Sequence, residues 1–443
     1  MEVNINEVAK RLSKLIQVKS LSNEKFENID FQPFFQIKSY LREFYPIIHD
    51  KSKIEIIHEG AFVYKIEGNT SNKLPLLFMG HMDVVAAGED TLNQWKVDPF
   101  SGVIEDEIVW GRGAKDMKSQ IISFFEATEY ALKYEIERDY DLYFSLGYDE
   151  EVGGRNGAKY IADYFKKQNI KFGMIIDEGG MITDGILGLL EEIALVGTCE
   201  KGYVDLKITY AADGGHSSMP PTSTALGKIC EAACKLENNQ MPVRITEPLS
   251  EMLVKLSKYL KGSARIALEK NKIFSPIVKS SLSKSPASNA LARTTTALTM
   301  AKGSDASNVL PNLAYIVVNF RLLPGDTLEE LLTHVKSVIG EEYNIEVLIS
   351  KTPSKFSKVD EYFDIVSESI KKAYPHVAEV VPFIMVGGTD SIYMDDLSDH
   401  IYKFGPFRCS EDERKVVHGV NEFMRFKDLK IGIDFFYNVI NKY

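Results

Sequence analysis

The chain has 443 residues, 52 basic and 63 acidic side chains, and a formal charge of −11. At about 150 residues per domain this length calls for two or three domains, and an apolar fraction of 44% with 26% charged residues excludes global disorder, collagen and low-complexity classes. The acidic balance argues against a nucleic-acid partner, because affinity for phosphates comes mainly from Lys and Arg.

The opening stretch MEVNINEVAKRLSKLIQVKSLS reads as an amphipathic helix. It has no uninterrupted apolar region, so it is not a signal peptide. No run of ~18 apolar residues occurs, and no membrane partner is expected. Helical patterns near 5–18, 32–45, 117–134 and 155–168 alternate with apolar runs at 74–79, 142–146 and 174–176. Such alternation predicts an α/β layer, a mixed, largely parallel sheet with helices on both faces.

The pattern changes near Glu200. Residues 203–210 alternate as a strand, Asp213-Gly214-Gly215 signals a turn, and a helix follows over 222–236. The segment 244–292 is Lys/Ser-rich and reads as a mostly helical insertion. Strand patterns return at 293–302 and 314–322, then a helix at 327–339 and a strand at 344–350. Residues 353–443 read as helix, strand and helix, which rejoin the first domain. The expected organisation is a domain made of 1–198 and 353–443, with a second α/β domain, 199–352, inserted into it.

Cys199, Cys230, Cys234 and Cys409 form no CxxC pair, which favours a reducing compartment and a cytoplasmic location. The Cys230/Cys234 spacing fits one helix face and reads as two buried thiols. Of the eight histidines, His49, His58, His334, His376 and His400 have no patterned company and read as structural or surface residues.

His81 ends the apolar run in LPLLFMGHMDVV. Period-2 geometry puts Asp83 on its side of the strand, where a carboxylate can accept the second ring N–H of a metal-bound imidazole. Next, WGRGAKDMKSQ carries Asp116 just ahead of a helix and lacks the third glycine of a dinucleotide loop. DEEVGG, residues 149–154, follows the apolar run LYFSL, and Asp177-Glu178 follows MII and precedes two glycines. Consecutive carboxylates after a buried strand repel unless they are solvated or neutralised by metal. His418 lies in VVHGVNE. Two histidines and three carboxylates suit two divalent cations, neutralised by the carboxylates and one further anion. The N/O donor set suits Zn²⁺, with Co²⁺ or Mn²⁺ as substitutes.

The ordered motifs GHMDVV, PFSG, WGRGAKDMK, DEEVGG, DEGG, GHSS, RTTTAL, NVLPNLA, NFRLLPGD, GGTDS and HGVNE resemble the aminoacylase/carboxypeptidase family of co-catalytic zinc metallopeptidases. Within it the likeness runs to the branch of carboxypeptidase S and the secreted N-fatty-acyl amino acid synthase/hydrolase. The resemblance implies two Zn²⁺ per chain. His81 would bind one zinc and Asp83 would orient it, Asp116 would bridge both, and Glu151 and His418 would hold the other. The acid of DEGG would be Glu178, with Asp177 the alternative. Glu150 would be the general base, and the peptide after Asp116 would be cis. The inserted domain would be the lid or dimerisation domain, with a homodimer as one arrangement. His216 of GHSS would polarise the scissile carbonyl, reaching into the partner's site in such a dimer. Asn308 and Arg321 would bind the substrate's amide and carboxylate ends, and Gly387, Gly388 and Thr389 would offer backbone donors.

The implied activity is zinc-dependent hydrolysis of an amide or peptide bond beside a free carboxylate, as in carboxypeptidases and dipeptidases. The alternative is an N-acyl-amino-acid amidohydrolase, so the expected substrate is a small peptide or an N-acyl amino acid. One departure stands out: Ile392 occupies the place where relatives often carry an Arg in the turn TDSR. A serine or cysteine hydrolase is disfavoured by the lack of GxSxG. A non-catalytic relative would have lost a ligand or Glu150, and all are present.

Overall fold

In the computed structural model, which describes residues 2–443, the apolar runs become strands buried along their whole length. Leu76–His81 and Leu142–Gly147 are of this kind, as expected for strands covered on both faces. They pair in parallel, Leu76 beside Leu142 and His81 beside Gly147. Met174–Thr183 lies parallel to Leu76–His81 on its other side, and Ile401–Arg408 lies parallel beyond that. These strands form the centre of an eight-stranded sheet. Ala61–Ile66 and Ser52–Ile57 extend it in antiparallel pairing at one edge; at the other, Ile193–Glu200 pairs antiparallel with Ile401–Arg408 and Glu379–Met385 lies beyond it. The sheet is therefore mixed with a parallel centre, the expected α/β class.

Alternation along one strand shows how both faces are covered. Tyr143 meets Phe165 of helix Ala158–Lys167 at 5.8 Å between ring centroids. Its neighbour Phe144 points the other way and meets Phe124 of helix Lys118–Lys133 at 4.9 Å, as period 2 requires. Phe124 also packs on Phe78 (5.9 Å) and on Phe436 (5.6 Å) of helix Phe426–Lys442. Helix Ile5–Ile16 packs on Lys118–Lys133 through the apolar face its sequence predicts.

The chain divides into one unit of residues 1–198, 356–383 and 389–443 and a second of 199–355 and 384–388. The second unit ends at 355 where 352 is expected, and it also takes in 384–388, where the Lys201 N–H donates to the Met385 carbonyl at 3.0 Å. It is a four-stranded antiparallel sheet in the order Thr295–Lys302, Leu313–Arg321, Tyr203–Ala211, Asn344–Lys351. Helices Ala225–Asn238 and Leu328–Ile339 supply Ile229, Leu236, Leu331 and Val335 to its core. The predicted helical insertion consists of Glu247–Ser257, Gly262–Glu269, Ser275–Leu282 and Pro286–Ala292.

Two expectations change. The antiparallel pair Ser52–Ile57 and Ala61–Ile66 was not foreseen; it turns through His58, Glu59 and Gly60, with positive φ at His58 and Glu59, neither of which is a usual turn former. Cys230 and Cys234 share a helix but are exposed, because that helix buries Ala225, Ile229, Ala232 and Leu236 instead. Among the described residues no helix is long and apolar enough to cross a membrane.

Phe124→Ala deletes a ring in contact with four others and should cost about 3–5 kcal/mol, read as a lower denaturant midpoint. Cys230→Ser on the exposed face should stay within about 0.5 kcal/mol of the parent. A Phe124→Ala loss below that of Cys230→Ser would contradict the packing described.

Candidate metal centre

Acids and histidines gather at the carboxyl ends of the parallel strands, the usual place for sites in such sheets. His81 is the last residue of its strand and is buried. Its Nε2 lies 3.1 Å from Asp116 Oδ1 and 3.1 Å from Glu178 Oε1. On the other side of Asp116, His418 Nε2 lies 3.0 Å from Oδ2 and 3.1 Å from Glu151 Oε2. The result is two groups of donors, His81–Asp116–Glu178 and Asp116–Glu151–His418. They share one carboxylate, each oxygen of which serves one group.

The donor set fits divalent cations. Ligands about 2.0–2.2 Å from a tetrahedral ion stand roughly 3.3 Å apart, close to the separations above. Glu151 Oε1 is buried and has no hydrogen-bond partner, a costly state for a carboxylate oxygen unless a cation meets it. Electrostatics agree. Burial and the Asp116 charge push the Glu178 carboxyl up to about 8. Hydrogen bonds to Asp116 and Glu151 push His418 up to about 10. Burial works against the charged form of His81, but Glu178, Asp116 and Asp83 raise it well above the usual imidazole range. Protons held this way are what bound cations displace.

Asp177, the neighbour of Glu178 and the alternative ligand, points elsewhere. Its Oδ2 accepts the Ser391 N–H at 2.9 Å. Successive side chains of a strand point to opposite faces, so only one of the two acids can reach the cluster.

Asp83 is fully buried, but its carboxylate is occupied mainly by the next loop. It accepts the N–H of Glu150 at 3.2 Å and of Glu151 at 3.1 Å. His81 Nδ1 meets the Asp83 backbone carbonyl at 3.0 Å and the carboxylate only at 3.4 Å. The backbone carbonyl is thus the nearer partner fixing the ring. Burial and the Glu178 charge raise the Glu150 carboxyl well above its ordinary range. Asp149 spends its carboxylate on the N–H groups of Asn156 (2.7 Å) and Gly157 (2.8 Å). The Asp116–Met117 peptide is cis, as the resemblance implies.

Three further groups were not singled out from the sequence. Glu422 is fully buried, pairs with Arg112 at 2.7 Å and accepts the N–H of Asp116 at 3.1 Å. Lys118, also buried, donates to the carbonyls of Leu15 (3.0 Å) and Val18 (2.8 Å); burial pushes its ammonium down to about 7, against the charges of Glu422 and Asp83. The only signal for any of them is their presence inside motifs noted for other residues.

The remaining expected residues lie around the second unit. His216 is exposed; its Nδ1 meets Ser218 Oγ at 2.8 Å. It pairs across a short ladder with Val309, and the neighbouring Ser217 N–H donates to Asn308 O at 3.0 Å, so His216 and Asn308 are brought together. Arg321 donates from Nε to Asn319 Oδ1 at 3.4 Å and lies 4.6 Å over the Tyr203 ring. Gly387 and Gly388 belong to this unit and Thr389 to the first; Thr389 Oγ1 meets Ser391 Oγ at 2.7 Å. Ile392 is half-buried in the same turn.

Comparison with known proteins bears on the whole chain. It is 33% identical over 444 residues to "Probable carboxypeptidase S-like 2" of Dictyostelium discoideum, covering 98% of this chain and 84% of that protein. It is 34% identical over 408 residues to the N-fatty-acyl-amino acid synthase/hydrolase PM20D1 of Xenopus tropicalis, covering 90% and 79%. Among solved structures, the M20 family metallo-carboxypeptidase Sso-CP2 of Sulfolobus solfataricus superposes with a TM-score of 0.71 at 18% identity, covering 98% of each chain. Human carnosine dipeptidase 1 shares the fold at a TM-score of 0.64 and 12% identity, covering 99% of this chain and 96% of that one. The model of peptidase family M20/M25/M40 matches residues 77–442, and the chain belongs to that family as a hydrolase of peptide or amide bonds.

Proposed function

We propose that the chain binds two zinc ions, one on His81, Asp116 and Glu178 and one on Asp116, Glu151 and His418, and cleaves a peptide or amide bond beside a free carboxylate. The observation that carries this reading is the division of the Asp116 carboxylate, Oδ1 to His81 and Oδ2 to His418. Bound there, the metal pair would supply Lewis-acid activation of water and of the scissile carbonyl. Glu150 accepts the proton of the attacking water and returns it to the leaving amine. Its loop is fixed by the Asp83 carboxylate on two consecutive N–H groups, which keeps the base in place through both transfers. His216, with Nδ1 engaged by Ser218, has Nε2 available to donate to the carbonyl oxygen as negative charge develops there. Asn308 and Arg321 hold the amide and carboxylate ends of the substrate, and Gly387, Gly388 and Thr389 line its path with backbone donors.

The carboxypeptidase or dipeptidase reading stands first. A second reading, an N-acyl-amino-acid amidohydrolase, is supported by the similarity to the N-fatty-acyl-amino acid synthase/hydrolase PM20D1. Ile392 removes a cation from a turn that would help anchor an amino-acid carboxylate, but either substrate carries that carboxylate, so this residue does not divide the two. Both place a carboxylate on Arg321 and differ in what lies on the other side of the bond. A homodimer through the second unit is supported by the edge strand Asn344–Lys351, on which Val347, Leu348 and Ile349 are all exposed.

Glu150→Gln should retain about two zinc ions per chain by mass spectrometry and lose roughly 10²–10⁴-fold in kcat. Full activity in that variant would remove Glu150 from its role, and no metal in the parent protein would remove the metal reading. A panel of dipeptides against N-acyl amino acids should give measurable kcat/KM in one class, with Arg321→Ala raising KM for either. If neither class is cleaved, the proposed substrate chemistry is wrong. Sedimentation velocity should find a dimer; a monomer at all concentrations would count against association through the edge strand.

A further inference from the structure

Arg112 and Glu422 form an ion pair at 2.7 Å with only 3% and 0% of their side chains exposed. Pairs buried this deeply are not retained for stability alone, since apolar replacements of similar volume are often as stable. Their bonds are what distinguish them. Glu422 Oε2 accepts Arg112 Nη1 (2.7 Å) and the Gly113 N–H (3.1 Å). Oε1 accepts the N–H groups of Lys115 (2.7 Å) and Asp116 (3.1 Å). All four bonds reach the segment 112–116. Arg112 Nη2 then crosses to the other segment and donates to the carbonyls of His418 (3.3 Å) and Gly419 (2.9 Å).

The pair thus grips the backbone of two residues, Asp116 and His418, whose side chains meet at 3.0 Å. His418 needs that grip, because it sits at φ 59°, in the left-handed region that a residue with a side chain seldom occupies. Gly113, at φ 84°, lets the loop turn close beneath: a Cβ there would lie 2.8 Å from Val84 Cγ1. The Arg112 guanidinium also stacks 5.3 Å from the Trp95 ring, which fixes its plane.

We infer that Arg112 and Glu422 are positioning residues that set the distance between Asp116 and His418 and thereby how tightly the second of the two ions is held. The inference rests on the metal reading above. Neither residue is a ligand: the Glu422 carboxylate is taken up by four donors, and Arg112 carries no donor atom a cation accepts.

The test is Glu422→Gln. A glutamine oxygen can satisfy one pair of donors, but its NH₂ then faces the other pair, either Arg112 and Gly113 or Lys115 and Asp116. The shape is kept and the grip on one segment is lost. Cobalt(II) titration of the metal-stripped protein, followed by its visible absorption, should show one of two ions bound about 10–100-fold more weakly, the range for residues that hold ligands in place, and the other bound nearly as before. Release to a chelator should become biphasic. Arg112→Lys, which keeps the charge but cannot span from Glu422 to two carbonyls, should shift the same ion in the same direction and serves if Glu422→Gln does not fold.

Glu126→Gln is the control. Glu126 is also buried and bonded to Arg11 and Tyr45, but its bonds reach no ligand segment. It should lower the unfolding midpoint and leave cobalt affinity unchanged. Parent-like affinity for both ions in a folded Glu422→Gln or Arg112→Lys protein overturns the inference, as does an equal loss in Glu126→Gln. A parent protein that takes up no cobalt overturns the metal reading itself, and the two failures are distinct.

Discussion

Everything in the first unit is arranged around one electrostatic constraint: three carboxylates, Asp116, Glu151 and Glu178, converge on two imidazoles at about hydrogen-bond distance. Like charges this close in a low-dielectric site cannot all be ionised without compensation. The molecule bears the marks of that constraint in Glu178, held protonated up to about 8, and in His418, held charged up to about 10. Divalent cations would resolve it more completely than protons do, because each would bring two charges to one group of donors. A parallel sheet suits this arrangement because neighbouring strands deliver their carboxyl ends side by side. His81 and Glu178 come from adjacent strands, and Glu151 from the loop after the next one.

Around this cluster a second group of acids does a different kind of work. Asp83, Asp149, Asp177 and Glu422 all aim their carboxylates at backbone N–H groups. Each satisfies donors that the loops would otherwise bury unpaired. Within the acidic motifs this divides labour by position. In DEE, Asp149 holds Asn156 and Gly157 while Glu151 faces His418; in DEGG, Asp177 holds Ser391 while Glu178 faces His81. The shorter acid clamps a nearby loop, and the longer one reaches the cluster.

That division explains what could and could not be read from the sequence. The fold class was legible because the central strands are unbroken apolar runs and the helices between them have clear 3.6-residue periodicity. The first antiparallel pair was not, since the two residues of its turn with positive φ are His58 and Glu59, and the one glycine, Gly60, follows them. The two exposed cysteines were misjudged because i, i+4 spacing says that they share a face but not whether that face is covered. Burial of a helix face is decided by its neighbours, here the sheet that takes Ile229 and Leu236.

For the site, residues whose side chains meet one another were easier to find than residues whose side chains meet the backbone. His81, Asp116 and His418 stand out as scarce or charged side chains in patterned motifs, and the resemblance, not charge arithmetic, picks Glu151 out of three consecutive acids. The choice between Asp177 and Glu178 needed the direction of the strand, which depends on how Met174–Thr183 pairs with Leu76–His81. Glu422 and Lys118 were invisible for a deeper reason. Apart from Arg112, which pairs with Glu422, their partners are carbonyls and N–H groups, which every residue possesses, so no spacing of side chains announces them. A buried acid that bonds mainly backbone looks, in sequence, like any surface glutamate. It is recognised only when the loop that it holds has been folded around it.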